Sequence, residues 1–214
     1  MSIRGEIQQV IYDITPRITE RLAVWPGDTM LSREILCDIG GGDNITLSTL
    51  RATVHLGAHA DGPNHYGKDA QAIDERSLDY YLGPCQVIRV DVPRAGRIET
   101  SMVNTEIREP RILFATGSYP DPENWNKDFS ALSVELINFL HERDVITVGI
   151  DTPSVDLFDS KDLPAHKEIL KHDMAILEGI VLTDVPEAIY ELIALPLPLV
   201  GFDASPVRAI LRTM

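Results

Sequence analysis

Apolar positions in this chain of 214 residues fall mostly in short runs of four to eight, separated by glycine and proline. Such punctuation predicts many short strands and few helices. An opening strand is expected over 7–15, where Ile7, Val10, Ile11, Tyr12 and Ile14 run into Asp13, Thr15 and Pro16. Residues 23–28 read Ala-Val-Trp-Pro-Gly-Asp, a turn that leaves Trp25 extended before Pro26. A tryptophan so placed either packs on the core or walls an aromatic-binding pocket. Strands are expected over 32–39, broken by Gly40-Gly41-Gly42-Asp43, and over 45–53, 85–92 and 111–115. Residues 74–81 suit a short helix ended by Leu82-Gly83-Pro84, and 117–128 a loop.

The second half is more helical. Ser133 has N-cap chemistry, Glu135 suits the helix dipole, and Leu136, Ile137, Phe139 and Leu140 share a face. Residues 145–150 form a continuous apolar strand of the fully buried type, ending on Asp151-Thr152-Pro153-Ser154. Polar groups at such strand ends serve sites or simply start turns. Pro164 can open a second helix carrying His166, Ile169, Leu170 and His172. Residues 174–182 are apolar except for Glu178, and 191–195 and 197–202 read as closing strands. Without repeats, low-complexity tracts or linkers, one α/β domain over 1–214 is expected, richer in strand than in helix.

Composition narrows the function. Asp and Glu outnumber Lys and Arg by 33 to 19, a net charge of −14 that disfavours nucleic acid and anionic membranes. No run of about 18 apolar residues and no signal-peptide pattern occurs, so a soluble cytoplasmic protein is expected. Cys37 and Cys85 belong to no Cys-x-x-Cys pair and are expected to be buried free thiols.

The chemistry concentrates in residues 55–65, His-Leu-Gly-Ala-His-Ala-Asp-Gly-Pro-Asn-His, which hold three of the six histidines. Imidazole and carboxylate at His55, His59 and Asp61 suit a zinc-like cation. On a regular helix Asp61 would lie roughly 240° around from His55. On a flat strand His55 and His59 would stand about 13 Å apart, too far for one ion. The segment must therefore bend, and Gly57, Gly62 and Pro63 allow it. It reads as the end of a strand running into a metal-binding turn. His65 is either a further ligand or a free acid/base beside the metal. Glu178, a lone carboxylate in an apolar run, is either a ligand or a solvent-facing strand position. His166 and His172 are both candidates for another imidazole ligand, while His141 suits a helix C-terminus. Neither a Gly-x-Ser-x-Gly elbow nor a phosphate-binding loop is present, so the chemistry points to metal.

The His-x-x-x-His-x-Asp-x-x-x-His pattern resembles the signature of the metal-dependent cyclase-like hydrolases, and among them of the bacterial kynurenine formamidases (arylformamidases). The similarity extends over Val24–Asp28, Tyr81–Cys85, Gly149–Ser154, Ala175–Gly179 and Gly201–Arg208, in order across nearly the whole chain. Residues 100–109, more charged than the family pattern, touch no motif. The resemblance implies a single swivelling β/β/α domain with a mixed sheet and flanking helices. It implies a binuclear zinc site with His55, His59 and Asp61 at one ion and His166, Asp61 and Glu178 at the other, Asp61 and Glu178 bridging. It also implies His65 as catalytic acid/base, Trp25 against the aromatic substrate, a homodimer, and hydrolysis of N-formyl-L-kynurenine in tryptophan catabolism. The alternatives are another zinc or manganese amide or lactam hydrolase of the superfamily, or a non-catalytic protein with a structural metal site. Structural sites are usually cysteine-rich, and neither cysteine is near the motif.

Overall fold

The computed structural model describes residues 9–214, so Ile7 of the expected opening strand lies outside the described residues. In chain order, the first half forms β1 (Ile11–Asp13), β2 (Ser32–Cys37), β3 (Leu47–Arg51), β4 (His59–Asp61), β5 (Leu82–Arg89), β6 (Arg97–Ile98) and β7 (Arg111–Ala115). Then come β8 (Ala131–Leu132), α1 (Val134–His141), β9 (Thr147–Ile150), α2 (Pro164–Lys171), β10 (Ala175–Glu178), β11 (Ile189–Ile193), β12 (Ala204–Pro206) and β13 (Ile210–Thr213). Ser133 caps α1 by accepting the Leu136 N–H at 3.1 Å, and Pro164 opens α2.

Nine strands join one mixed sheet in the order β1-β13-β11-β5-β7-β9-β10-β4-β12. The centre, β5-β7-β9-β10, is parallel, and α1 and α2 serve as crossovers between β7 and β9 and between β9 and β10. Both flanks are antiparallel. One face packs on the helices through Ile112, Phe114, Val148 and Ile176 against Leu136, Leu140 and Ile169. On the other face, Ala60 of β4 and Leu211 of β13 share a cluster with Val87, Leu113 and Leu177. Strands far apart in sheet order meet there, so the sheet curls around this second core.

β2 and β3 stand apart as a hairpin. Its apolar side chains remain uncovered, Leu50 at 68 % exposure and Ile35, Leu36 and Leu47 beside it.

Several expectations need correction. Residues 74–81 form two separate 3-10 turns, Ile73–Glu75 and Leu78–Tyr80, because Arg76 is extended between them and the Ser77 side chain starts a new turn by accepting the Asp79 N–H. Residues 197–202 are not a strand, since Pro196 and Pro198 remove ladder donors; β12 and β13 close the sheet instead. The strand over 45–53 ends at Arg51, and the motif starts in irregular chain. Cys37 is only half-buried, while Cys85 is buried, and both are free.

Candidate metal centre

The three-residue strand β4 sets the geometry. Its alternation sends Ala60 into the curled core and His59 and Asp61 to the opposite face. Glu178, the last residue of β10, pairs in register with His59 and so shares that face. His55 joins them because the chain bends at Gly57, whose φ is +59°. Gly179 turns at φ +64°, and a Cβ there would lie 2.2 Å from the Gly57 carbonyl oxygen. The expected strand running into a metal-binding turn is thus irregular chain up to Ala58, the three-residue strand β4 carrying His59 and Asp61, and a 3-10 turn, Pro63–His65, after it.

His166 comes over the same face from the first turn of α2. His172, the other imidazole candidate, caps the C-terminus of α2 and lies elsewhere, 2.7 Å from Asn138 and stacked on His141 at 3.9 Å. The Glu178 carboxylate is buried and accepts the Val155 N–H at 2.6 Å.

Distances inside the cluster have the spread expected of groups that could hold a cation. Two donor atoms each about 2 Å from one tetrahedral ion stand about 3.3 Å apart. Asp61 Oδ1 lies 3.2 Å from His55 Nδ1 and 3.6 Å from His59 Nε2, while Asp61 Oδ2 lies 3.7 Å from His166 Nε2. Glu178 divides its oxygens likewise, Oε2 at 3.3 Å from His59 Nε2 and Oε1 at 3.7 Å from His166 Nε2. His59 Nε2 and both Asp61 oxygens are buried without a hydrogen-bond partner. Orphaned polar atoms in so dry a place are costly unless a ligand satisfies them, and this donor set fits a divalent cation. His65 comes close as well: its ligand atom and those of His55 and Asp61 lie within 4.8 Å of one another, so geometry alone admits it as a ligand.

The imidazoles are aimed from behind. His59 Nδ1 lies 2.8 Å from the Gly57 carbonyl oxygen, turning Nε2 toward the carboxylates. His166 Nδ1 lies 2.9 Å from Asp156 Oδ2, and Asp156, fully buried, also pairs with Arg97 at 2.9 Å. Asp203 reaches two histidines, 3.1 Å from His55 Nε2 and 3.4 Å from His65 Nδ1. Asp156 and Asp203 escape sequence reading, because each sits in a stretch that looks like an ordinary turn; only the place of Asp203 inside a shared motif hinted at more. Electrostatics match. Burial opposes charge on His55, but Asp61 and Asp203 hold it up at about 9; burial likewise opposes charge on His166, which Asp156 and Asp61 hold at about 10. Burial pushes the Asp61 carboxyl up, yet the imidazoles of His166 and His55 facing it keep it well below the usual carboxylate range.

The cluster forms the base of a cavity of about 730 Å³ lined by His55, His59, His65, His166 and Glu178. Trp25 lines it too, half-exposed at 38 %, its ring 5.2 Å from both Trp125 and Phe158. Asp151, Pro153 and Ser154 from the end of β9 are also in the wall. Groups that could hold a cation thus share one cavity with an aromatic wall.

Comparison with known proteins agrees. Residues 12–157 match the Cyclase family model. The chain is 41 % identical over 208 residues to the kynurenine formamidase of Polaromonas naphthalenivorans (strain CJ2), covering 95 % of this chain and 91 % of that one. A solved protein described as a potential metal-dependent hydrolase with cyclase activity superposes with a TM-score of 0.84 at 25 % identity, covering 96 % and 98 % of the two chains. Isatin hydrolase A from Labrenzia aggregata shares the fold, with a TM-score of 0.80 at 21 % identity over 96 % and 94 %.

Proposed function

The chain belongs to the cyclase family of metal-dependent hydrolases, and from that premise we propose that it hydrolyses N-formyl-L-kynurenine to L-kynurenine and formate, a step of tryptophan catabolism. The observation that carries this reading is the set of buried, partnerless donors at the base of an aromatic-walled cavity. His55, His59 and Asp61 would hold one cation and His166, Asp61 and Glu178 a second, with Asp61 and Glu178 available to both. Zinc suits these three imidazoles and two carboxylates, and manganese is compatible with them. A metal bound there makes water nucleophilic at neutral pH and polarises the formamide carbonyl.

The protein's own groups do the rest. Trp25 stacks against the aryl ring and places the formyl group over the cluster. His65, its Nδ1 turned to Asp203, hands a proton from Nε2 to the aniline nitrogen as it leaves. The apolar hairpin of β2 and β3 supports a homodimer, since an isolated two-stranded ribbon is marginally stable and uncovered apolar surface marks interaction sites. Two free thiols suit a reducing cytoplasm.

Metal-loaded protein should release aniline product from N-formyl-L-kynurenine far faster than it opens a cyclic aryl amide. His65→Ala should lose at least about 100-fold in kcat while keeping its metal, measured by metal analysis on the assayed sample. Full activity in that variant would remove His65 from the mechanism; preference for the cyclic amide would replace the formamidase reading.

A further inference from the structure

The cavity does not stop at the metal ligands. It follows the C-terminal edge of the parallel strands, and its wall takes in Glu178 of β10, Asp151 after β9, Gly117 after β7 and Arg89 at the end of β5. Register keeps these ends level: Arg89 pairs with Ala115, Phe114 with Ile150, and Gly149 with Leu177. Three strand spacings separate the β5 and β10 backbones, about 14 Å. A long arginine side chain and a substrate with a flexible tail can close that gap between them.

Arg89 is the one lysine or arginine among the residues lining the cavity. Its guanidinium is braced by one nitrogen, Nη2, which donates to the carbonyl oxygens of Leu182 at 3.2 Å and Val185 at 3.1 Å. Nε and Nη1 have no acceptor among the described residues; the nearby Glu187 carboxylate accepts the Arg89 backbone N–H at 2.8 Å and makes no ion pair with the guanidinium. Arg21, Arg76, Arg94, Arg97, Arg208 and Arg212 each pair with a carboxylate, whereas Arg17, Arg33, Arg51 and Arg111, like Arg89, have no ion pair among the described residues, and none of those four lines the cavity. In a chain of net charge −14, an exposed, braced guanidinium without an ion pair in the wall of this cavity is placed to receive an anion. The neighbouring acid, Asp151, is already engaged by the Thr116 N–H at 2.9 Å, the Thr116 hydroxyl at 2.6 Å and the Gly117 N–H at 2.8 Å. It therefore does not compete for the arginine.

We propose that Arg89 binds the α-carboxylate of the substrate's amino-acid tail, and so selects an aryl formamide that carries such a tail over a neutral one. This rests on the formamidase reading above. The free Nε–H and Nη1–H donors of a fixed guanidinium make charge-assisted hydrogen bonds with a carboxylate. Distance from the metal cluster keeps this recognition away from the reacting bond.

The test compares N-formyl-L-kynurenine with 2-formamidoacetophenone, which keeps ring, ketone and formamide but lacks the charged tail. Wild type should favour the first in kcat/KM. Arg89→Met should lower that preference about 10- to 100-fold, mainly through KM, and Arg89→Lys should restore part of it. A merely structural role would slow both substrates alike and leave the ratio unchanged. If wild type hydrolyses both and the ratio is the same in Arg89→Met, the assignment of Arg89 falls alone. If wild type hydrolyses neither, the formamidase reading falls and this assignment with it.

Discussion

The imidazole of His166 is gripped by Asp156, which takes its ring N–H, accepts its backbone N–H at 3.1 Å and faces Arg97 on the other side. Burial pushes the Asp156 carboxyl up, but the His166 hydrogen bonds outweigh it and keep the acid ionised. A carboxylate behind a ligating imidazole fixes the tautomer and makes the facing nitrogen a better donor. Asp156→Asn keeps the shape and removes the charge, so metal affinity should fall about 10- to 100-fold, read by competition against a chromogenic chelator. Unchanged affinity would reduce Asp156 to a helix-capping role. At this scale the sequence is legible where chemistry repeats at short spacing: His55, His59, Asp61 and His65 announce themselves within eleven residues. Asp156 and Asp203 do not, because a single aspartate near Ser or Pro looks the same whether it starts a turn or orients a histidine from another part of the chain.

The elements meet at one backbone contact. Gly57, at the bend before β4, and Gly179, just after β10, touch through main-chain atoms, and the Gly179 N–H donates to the Thr152 carbonyl at 2.8 Å. Gly179→Ala adds a methyl group where there is no room, at a left-handed φ. It should cost about 2–4 kcal/mol, seen as a lower denaturation midpoint, and weaken metal binding because His55 and Glu178 move apart. A variant with wild-type midpoint would mean that the two segments yield to each other. Strong elements were readable from the chain. The period of Leu136, Ile137 and Leu140, with Ser133 before it, defines α1, and Arg111–Ala115 is a strand as expected. Weak ones were not. β12 and β4 are three residues long and exist by virtue of their neighbours, so no local pattern marks them.

The whole molecule carries the cluster's charge. In the metal-free protein His55 and His166 titrate at about 9 and about 10, against about 6.5 in an unfolded chain. The folded state thus binds these protons more tightly. Their contribution to stability is full below about pH 6.5 and is lost as pH rises through 9 to 10. Asp61 works oppositely: with its carboxyl lowered, its contribution is present above the unfolded value and lost on acidification. The Tm of metal-free protein should therefore fall between pH 7 and 10. Metal must displace the same protons, so metal affinity should rise over that interval and the loaded protein should resist the fall. A flat Tm for the metal-free protein would show that these imidazoles are neutral already. The sheet order has a further consequence, in time rather than space. β4 lies between β10 and β12, both made more than a hundred residues later. During synthesis the histidine motif leaves the ribosome with no strand to pair with, and it waits there until the chain is nearly finished. A metal centre built on this motif would therefore be completed only once the late strands have docked, and its loading would fall near or after the end of synthesis.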